Sequence, residues 1–495
     1  MSGFIPIGSV PAFHAARDPH FPFFTQDGET VSRGEFDRRT NRRARALAQL
    51  GLGQDDRVIM LMPNGVEFFE TSFALWKLGA TPVPAAPATT AAELKVFAEL
   101  VEPRAVIGQL APGGGIITIP ADLAVDPALS AEPLPERMPA HWRINMSGGS
   151  TGRPKVIVDR TPAVADPLNP MLEQRVDGVM LNPGPLYHSG PFGLSHRAVF
   201  AGNHIVNMSR FDALEVLRLI ELHGVDWLYI VPTMMHRIWR LPELDRSRYD
   251  LSSLRTVYQM GAACPQWLKQ NWIDWLGPEK IWELYSGAEN PGRCVINGIE
   301  WLAHRGSVGK VQPGAELAVF DEAGRPCATG EIGEIGFKPV SDDFTFRYIG
   351  AEAKKFGDFV SLGDLGYLDG DGYLYLVDRR TDMIVSGGVN VYPAEIEAAL
   401  EEHPGVESSI AIGLPDADLG NRVHAIVHLE QQAGEKVTID DLRAWLAQLL
   451  VGYKIPRSFE FVDAPLRDNA GKARRSALRE ERIHAANEAA GQQAR

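Results

Sequence analysis

The sequence predicts an α/β fold. A large N-terminal domain of parallel-rich sheets with covering helices ends in a small β-rich region, and a small α+β C-terminal domain follows. Three observations carry this. Helix-period and strand-like runs alternate along most of the first 300 residues, the pattern of sheets built from βα units. Between Gly306 and Tyr375 the texture changes to short strand candidates separated by Gly-Asp and Gly-Arg turns. After Arg380 a new unit of about 115 residues begins, so the domains are expected at 1–380 and 381–495.

The elements follow in order. Ser32 and Glu35 form a capping-box pattern, after which Phe36, Thr40, Ala44 and Leu47 recur at helical spacing up to Gly51. Residues 57–62 (RVIMLM) read as a buried strand, and 66–78 as a helix stopped by Gly79. Thr90 and Glu93 open another helix, and RAVIG at 104–108 is the next strand. Residues 111–140, rich in Ala, Pro and Gly, are expected to be an irregular connector. Alternation resumes near 176. The last unit predicts a helix at 393–402, strands near 408–412 and 424–429, a helix at 440–450 and a strand at 458–462. The final twenty or so residues are helix-forming, and no internal repeat is present.

Length and composition set outer limits. The chain has 495 residues, 45% apolar and 23% charged, which is ordinary for a globular protein and excludes a disordered or fibrous chain. No apolar run reaches the roughly 20 residues of a membrane-spanning helix. The N-terminus lacks the basic start and apolar stretch of a secretory signal. Three cysteines, Cys264, Cys294 and Cys327, are too few for a disulfide framework, so a cytoplasmic location is expected. The net charge of −14 disfavours nucleic acid as a partner, although a local basic pocket can still hold a small anion.

Four segments carry chemistry. The first is Ser147, Gly148, Gly149, Ser150, Thr151, Gly152, Arg153, Pro154 and Lys155, whose glycines, hydroxyls, amides and lysine suit phosphate oxygens. It is not a P-loop, because Arg153 and Pro154 separate Gly152 from Lys155 and a strand-like run follows. Gly148-x-Ser150-x-Gly152 matches a hydrolase elbow, but no helix pattern follows it; a flexible polar turn is the plain alternative. The second is Tyr285-Ser286-Gly287-Ala288-Glu289, which alone equally describes a strand end with a turn. The third, 363–393, places Asp364 before a hairpin-like stretch, a basic pair and a glycine-rich turn. Asp369 and Asp371 lack the further ligands of a calcium loop, so a hairpin turn is the better reading. The fourth, Gly471-Lys472, is alone a surface turn.

Taken in order, these segments resemble the motifs of the adenylate-forming superfamily of acyl-CoA synthetases, luciferases and peptide-synthetase adenylation domains. The resemblance spans almost the whole chain: SGGSTGRPK at 147–155, YSGAE at 285–289, GDLGYLDGDGYLYLVDRRTD at 363–382, SGGVNVYPAEIE at 386–397 and GK at 471–472. PLYHSGP at 185–191, VPTMMHRI at 231–238, GAACP at 261–265 and EWLAHRGSVG at 300–309 look like the fatty-acid-type CoA ligase branch.

The resemblance implies two half-reactions. A small-molecule carboxylic acid attacks the α-phosphate of ATP, giving an acyl-adenylate and pyrophosphate; the thiol of coenzyme A then displaces AMP. Bringing anion onto anion demands fixed positive charge and amide dipoles. By motif, residues 147–152 and Lys155 hold the phosphates, and Glu289 holds a magnesium ion (Mg2+). Tyr285 stacks on adenine, with Gly261, Ala262 and Ala263 on its other side and Ser286, Gly287 and Ala288 nearby. Asp364 and Arg379 grip the ribose. Lys472 bridges the α-phosphate and the carboxylate, and His188 stands at the carboxylate end of an acyl pocket with Tyr187, Tyr229 and Met260. The C-terminal domain is implied to turn about a hinge at Thr381, presenting first Lys472 and then Ser386, Gly387 and Gly388, which flank the CoA arm.

Three departures from the family pattern stand out: Ala288 for the usual Thr, Thr381 for the usual Asp or Lys, and Val156 for the usual Gly. They bear on rate and domain movement and leave every charged group in place. A ligase that loads a carrier protein and a non-catalytic nucleotide-binding paralogue are the competing functions. The identity of the acid and a possible homodimer stay open on sequence alone.

Overall fold

Apolar runs between the helices assemble into one broad sheet of 14 strands, in a computed structural model that describes residues 3–109, 113–148, 154–340, 345–416, 418–430, 437–468 and 471–493. One half is parallel. Pro22–Gln26, His204–Asn207, Val179–Asn182, Trp227–Ile230, Thr256–Met260 and Ile281–Tyr285 lie side by side in that order. The other half is antiparallel and contains the β-rich stretch: Cys294–Asn297, Ser307–Val311, Leu374–Arg379, Phe359–Leu368, Gly333–Pro339 and Ala315–Phe320. Buried parallel strands need helices on their faces, which explains the alternation in the sequence.

The helix Arg33–Gln49 buries Phe36, Thr40, Ala44 and Leu47, the spacing that predicted it. Phe36 packs its ring 4.5 Å from Phe24 and 5.5 Å from Phe73, and each such aromatic contributes about 1.5–3 kcal/mol. Only half of its capping box forms. Ser32 Oγ accepts the Glu35 N–H at 3.3 Å, but the Glu35 carboxylate is taken by Arg38 and Arg39. The Thr90–Glu93 box is complete.

A second parallel sheet joins Thr81–Pro84, Arg57–Met60, Ala105–Ile107 and Ile117–Ile119. The last strand corrects the reading of 111–140 as irregular throughout. Its three residues are too short a run to stand out among Gly and Pro, and pairing with Ala105–Ile107 buries Ile119.

Beyond residue 380 the chain builds a three-stranded sheet. Val406–Asp416 and Gly420–Leu429 run antiparallel, and Ser458–Val462 joins in parallel. Pro393–Glu401 and Ile439–Leu449 cover it around Ile396, Leu400, Val406, Ala425, Leu442 and Leu446, a core of its own. This unit meets the larger one at few points. Arg240 Nη1 donates to Glu430 Oε2 at 2.9 Å, and a cleft of about 360 Å³ separates Trp267 from Ala398, Ala399 and Leu450. Among the described residues no helix is long and apolar enough to cross a membrane.

Candidate active site

Three neighbouring parallel strands end in motif residues. Trp227–Ile230 runs into Val231 and Thr233, Thr256–Met260 into Gly261–Ala263, and Ile281–Tyr285 into Ser286–Glu289. Crevices at the carboxyl ends of parallel strands are where open α/β sheets bind ligands.

The ends of the segment expected to hold phosphates belong to a strand pair. Ile144–Gly148 pairs with Pro154–Asp159, placing Ser147 opposite Lys155 and Gly148 opposite Pro154. Gly149, Ser150, Thr151 and Gly152 lie outside the described residues. Lys155 Nζ donates to Glu289 Oε1 at 3.1 Å and to the Tyr348 hydroxyl at 2.9 Å, and Tyr348 in turn donates to Glu289 Oε1 at 2.6 Å. Two donors thus occupy one oxygen of Glu289. Its Oε2 accepts no hydrogen bond among the described residues and lies 2.7 Å from where a Cβ on Gly287 would stand, so any larger residue there would collide with it. Ala288 packs against Ile157, Phe346 and Val360, and Val156 is buried with Ile144 and Val158. Both departures from the family pattern therefore fill apolar space.

The pair expected to grip the ribose is fixed by strand register. Asp364 and Arg379 are direct partners on Phe359–Leu368 and Leu374–Arg379. Arg379 Nε donates to Asp364 Oδ1 at 3.2 Å, and the Tyr285 hydroxyl donates to Oδ2 at 2.7 Å. Burial raises the Asp364 pKa, while Arg379 and the Tyr285 hydrogen bond pull it back. Tyr285 packs its ring 6.1 Å from Phe337, its phenol pushed well above the ordinary value by burial and by the Asp364 charge. Ser286 Oγ donates to the Gly292 carbonyl at 2.7 Å, and Ala262 O accepts from Gln259 Nε2 at 3.0 Å, so both loops are held from behind.

The turn at 468–472 reaches in from the small domain. It is closed by Lys472 N to Asp468 Oδ1 at 2.9 Å, Gly471 N to Asp468 O at 2.9 Å and Asp468 N to Lys472 O at 3.0 Å. Gly471 has φ +75° and is buried, and a Cβ there would stand 3.2 Å from Thr233 Oγ1, so glycine lets the turn seat on the large domain. Lys472 is exposed but lies within electrostatic reach of Arg379, Asp468 and Glu289. Burial around its ammonium and the Arg379 cation lower its pKa, and the two carboxylates oppose that. His188 precedes the helix Ser189–Phe200. Burial first, then the Lys472 cation, push its pKa down to about 4, so the ring is neutral at pH 7.

The residues expected to line an acyl pocket stand near His188. The Tyr187 and His188 rings lie 4.5 Å apart, tilted by 46°. Gly190 faces Tyr229 and Met260; a Cβ there would sit 3.5 Å from the Tyr229 hydroxyl and 3.7 Å from Met260 Sδ. Leu284, the register partner of Met260, continues the same wall.

The expected CoA-binding residues do not join this cluster. Ser386 ends one strand of the hairpin Ile384–Ser386/Val389–Val391, whose exposed tip is Gly387 and Gly388. Their φ values of +58° and +79° give the left-handed pair a two-residue hairpin turn requires. Gly387 N donates to Leu419 O, within the same domain. At the expected hinge, Arg380 binds the large domain through Gly363 O and Glu334, whereas Asp382 is held by Arg475 of the small domain at 2.7 Å. Exposed Thr381 sits between the two attachments.

Sequence reasoning missed Tyr348 and the carboxylate–arginine set behind Lys472, and it took in Thr233 only within VPTMMHRI at 231–238. Tyr348 comes from Phe346–Ile349, a strand that pairs with Pro154–Asp159 from almost 200 residues away and carries no motif of its own. Among the described residues no three His, Cys, Asp or Glu side chains cluster as a preformed metal centre.

Comparison with known proteins identifies the family. The AMP-binding enzyme family matches residues 12–339, and the AMP-binding enzyme C-terminal domain matches 395–472. A feruloyl-CoA synthase of an Amycolatopsis species is 32% identical over 490 residues, covering 96% of this chain and 98% of that protein. A 2-succinylbenzoate–CoA ligase of Geobacillus kaustophilus is 32% identical over 453 residues, 88% of this chain and 90% of that one. The crystal structure of ATP-bound MatB from Rhodopseudomonas palustris superposes with a TM-score of 0.80 at 25% identity, covering 97% of this chain and 99% of that one. With two thirds of its length matched by the family, the chain belongs to the AMP-binding enzyme family, in the CoA-ligase branch of the adenylate-forming enzymes.

Proposed function

We propose that this protein is an acyl-CoA synthetase that activates an aromatic or similarly flat carboxylic acid. The observation that carries the reaction is the seating of Gly471 against Thr233, just past the carboxyl end of Trp227–Ile230, which brings Lys472 within electrostatic reach of Glu289, Arg379 and His188. In the first half-reaction a carboxylate oxygen attacks the α-phosphorus of ATP, the α–β bridging bond breaks, and pyrophosphate leaves. Both reactants are anions. Lys472 supplies the cation between them, and Lys155 supplies one toward the departing phosphates. The neutral His188 ring adds no charge of its own and borders the carboxylate. Asp364 and Arg379 hold the ribose hydroxyls. Glu289 fits a magnesium ion through its open Oε2, since Mg²⁺ is usually bound by one or two carboxylates plus substrate phosphates. When bound, the ion neutralises phosphate charge. Lys155 must then release Glu289 and turn to the nucleotide.

In the second half-reaction the sulfur of coenzyme A attacks the acyl carbon, the bond to AMP breaks, and the thiol proton leaves. Thr381, lying between two separately anchored neighbours, is the pivot that exchanges Lys472 for the Gly387–Gly388 tip. A planar acid is supported by the names of the similar feruloyl-CoA synthase and 2-succinylbenzoate–CoA ligase, both of aromatic acids, and by Gly190, which adds no side chain beside Tyr229 and Met260.

The test supplies purified protein with ATP, Mg²⁺ and graded aryl, alkyl and alicyclic acids, following pyrophosphate release without CoA and acyl-CoA by mass after CoA is added. Aryl acids should give the highest kcat/KM and CoA should be consumed. A long-chain alkyl acid as the best substrate would overturn the acid assignment. Pyrophosphate release with no thioester to free CoA would overturn the acceptor.

A further inference from the structure

We propose that Glu397 is a positioning residue for Lys472, an inference that rests on the role just given to that lysine. Glu397 lies on the helix Pro393–Glu401 and is 4% exposed. Its Oε1 accepts the Ala411 N–H at 2.9 Å and Arg475 Nε at 3.1 Å. Its Oε2 accepts Arg475 Nη2 at 2.6 Å and Arg467 Nη2 at 2.7 Å. One buried carboxylate therefore binds two guanidiniums, one of them through the two-pronged geometry that fixes orientation as well as distance.

The two arginines flank the catalytic turn. Arg467 directly precedes Asp468, and Arg475 follows Lys472 by three residues, so Glu397 pins both ends of the loop that the Asp468 hydrogen bonds close. At the described residues of the tip, Gly471 seats against Thr233 and Lys472 is exposed. The place of the ammonium is thus set from behind. Arg475 also holds Asp382, just past Thr381, so the first residue beyond the hinge and the lysine turn are tied to one carboxylate and move together.

The experiment separates this from a merely structural part. Glu397→Gln keeps the volume and an acceptor for the Ala411 N–H, while Arg467 retains Glu401 at 3.5 Å and Arg475 retains Asp382. Adenylate formation, read as pyrophosphate release without CoA, should fall about 10–100-fold in kcat with little change in KM for ATP, because a displacement of about 1 Å can cost 10²-fold. Thiolysis of supplied acyl-adenylate should stay within about 2-fold of the parent. Amide exchange should quicken in 468–474 and not in Ile439–Leu449. Arg475→Lys, which keeps the charge but loses the fork, is the second variant and should show the same split. Equal losses in both half-reactions, or unchanged adenylation while Lys472→Ala slows it, overturn the proposal and leave the lysine's role standing. If Lys472→Ala itself leaves adenylation intact, the reading beneath the proposal fails instead.

Discussion

The ribose corner and the lysine turn face the same crevice but are built in opposite ways. Asp364 and Arg379 are neighbours because two strands of one hairpin put them in register, and Tyr285 reaches them from the same sheet. Lys472 arrives from another domain, on a turn clamped from behind and touching the large domain through a glycine. The first corner exists whenever the large domain is folded. The second exists only while the two domains are seated together. If, as proposed, the Lys472 charge serves only the first half-reaction, a part that can leave is the place to carry it.

The largest expected effect tests that division. Lys472→Ala should slow adenylate formation about 10²–10³-fold, the cost of one preorganised donor, and leave thiolysis of supplied adenylate nearly unchanged. Equal losses in both half-reactions would mean that the turn does not withdraw. Asp364→Asn should act differently, weakening nucleotide hold in both half-reactions. It keeps the shape but loses the charge facing Arg379, so KM for ATP should rise about 10-fold, in line with a charged hydrogen bond of about 1.5–3 kcal/mol partly replaced by a neutral one. A variant with parental KM for ATP would show that the ribose is gripped elsewhere.

What the sequence revealed follows the same line. The small domain was legible nearly element by element, because its helices and strands are local, amphipathic and separated by turns: the helix read at 393–402 is Pro393–Glu401, and the strand at 458–462 is Ser458–Val462. Asp364, Arg379, Tyr285 and Glu289 were legible as motif residues, and the fold brings them to one crevice. Tyr348 was not, since its contact with Lys155 and Glu289 depends on a strand pairing across almost 200 residues. Glu397 lay inside a quoted motif, yet nothing in its spacing tells that a carboxylate will be buried against two arginines from the end of the chain. Ile117–Ile119 was lost because three residues are below the length at which periodicity speaks.

A smaller effect should separate the two faces of the mobile unit. Gly388→Leu should accumulate acyl-AMP and pyrophosphate while acyl-CoA formation drops about 10-fold, because only glycine permits the closest backbone approach. Gly388 has φ +79° and no atom within 4 Å of where its Cβ would stand, so packing in the present arrangement does not oppose the leucine. Left-handed strain of about 1–2 kcal/mol does, and Gly388→Ala carries the same strain with less bulk. Adenylation should survive in both variants, and only leucine should block the thiol. Parental acyl-CoA rates in Gly388→Leu would place the CoA arm elsewhere.

The smallest effect contrasts the domains in stability. Burial pushes His14, His188 and His204 down to about 4 and His196 and His236 to about 3, and all five belong to the large domain. Their folded values lie below the unfolded value of 6.5, so the native state holds them neutral while the unfolded chain takes up protons. Their contribution is complete above pH 6.5 and is lost as pH falls from there toward 4, each histidine adding up to about 1.4 kcal/mol per pH unit. In the small domain His424 and His403 are lowered too, His424 partly sustained by Glu460. Acidification from pH 7 to 5 should therefore loosen the large domain first. Amide exchange read peptide by peptide should show protection falling around Phe192–Phe200 and Trp227–Ile230 before it falls in Val406–Asp416. Earlier loss in the small domain would mean that its ion pairs, and not the buried histidines, set the acid limit of this protein.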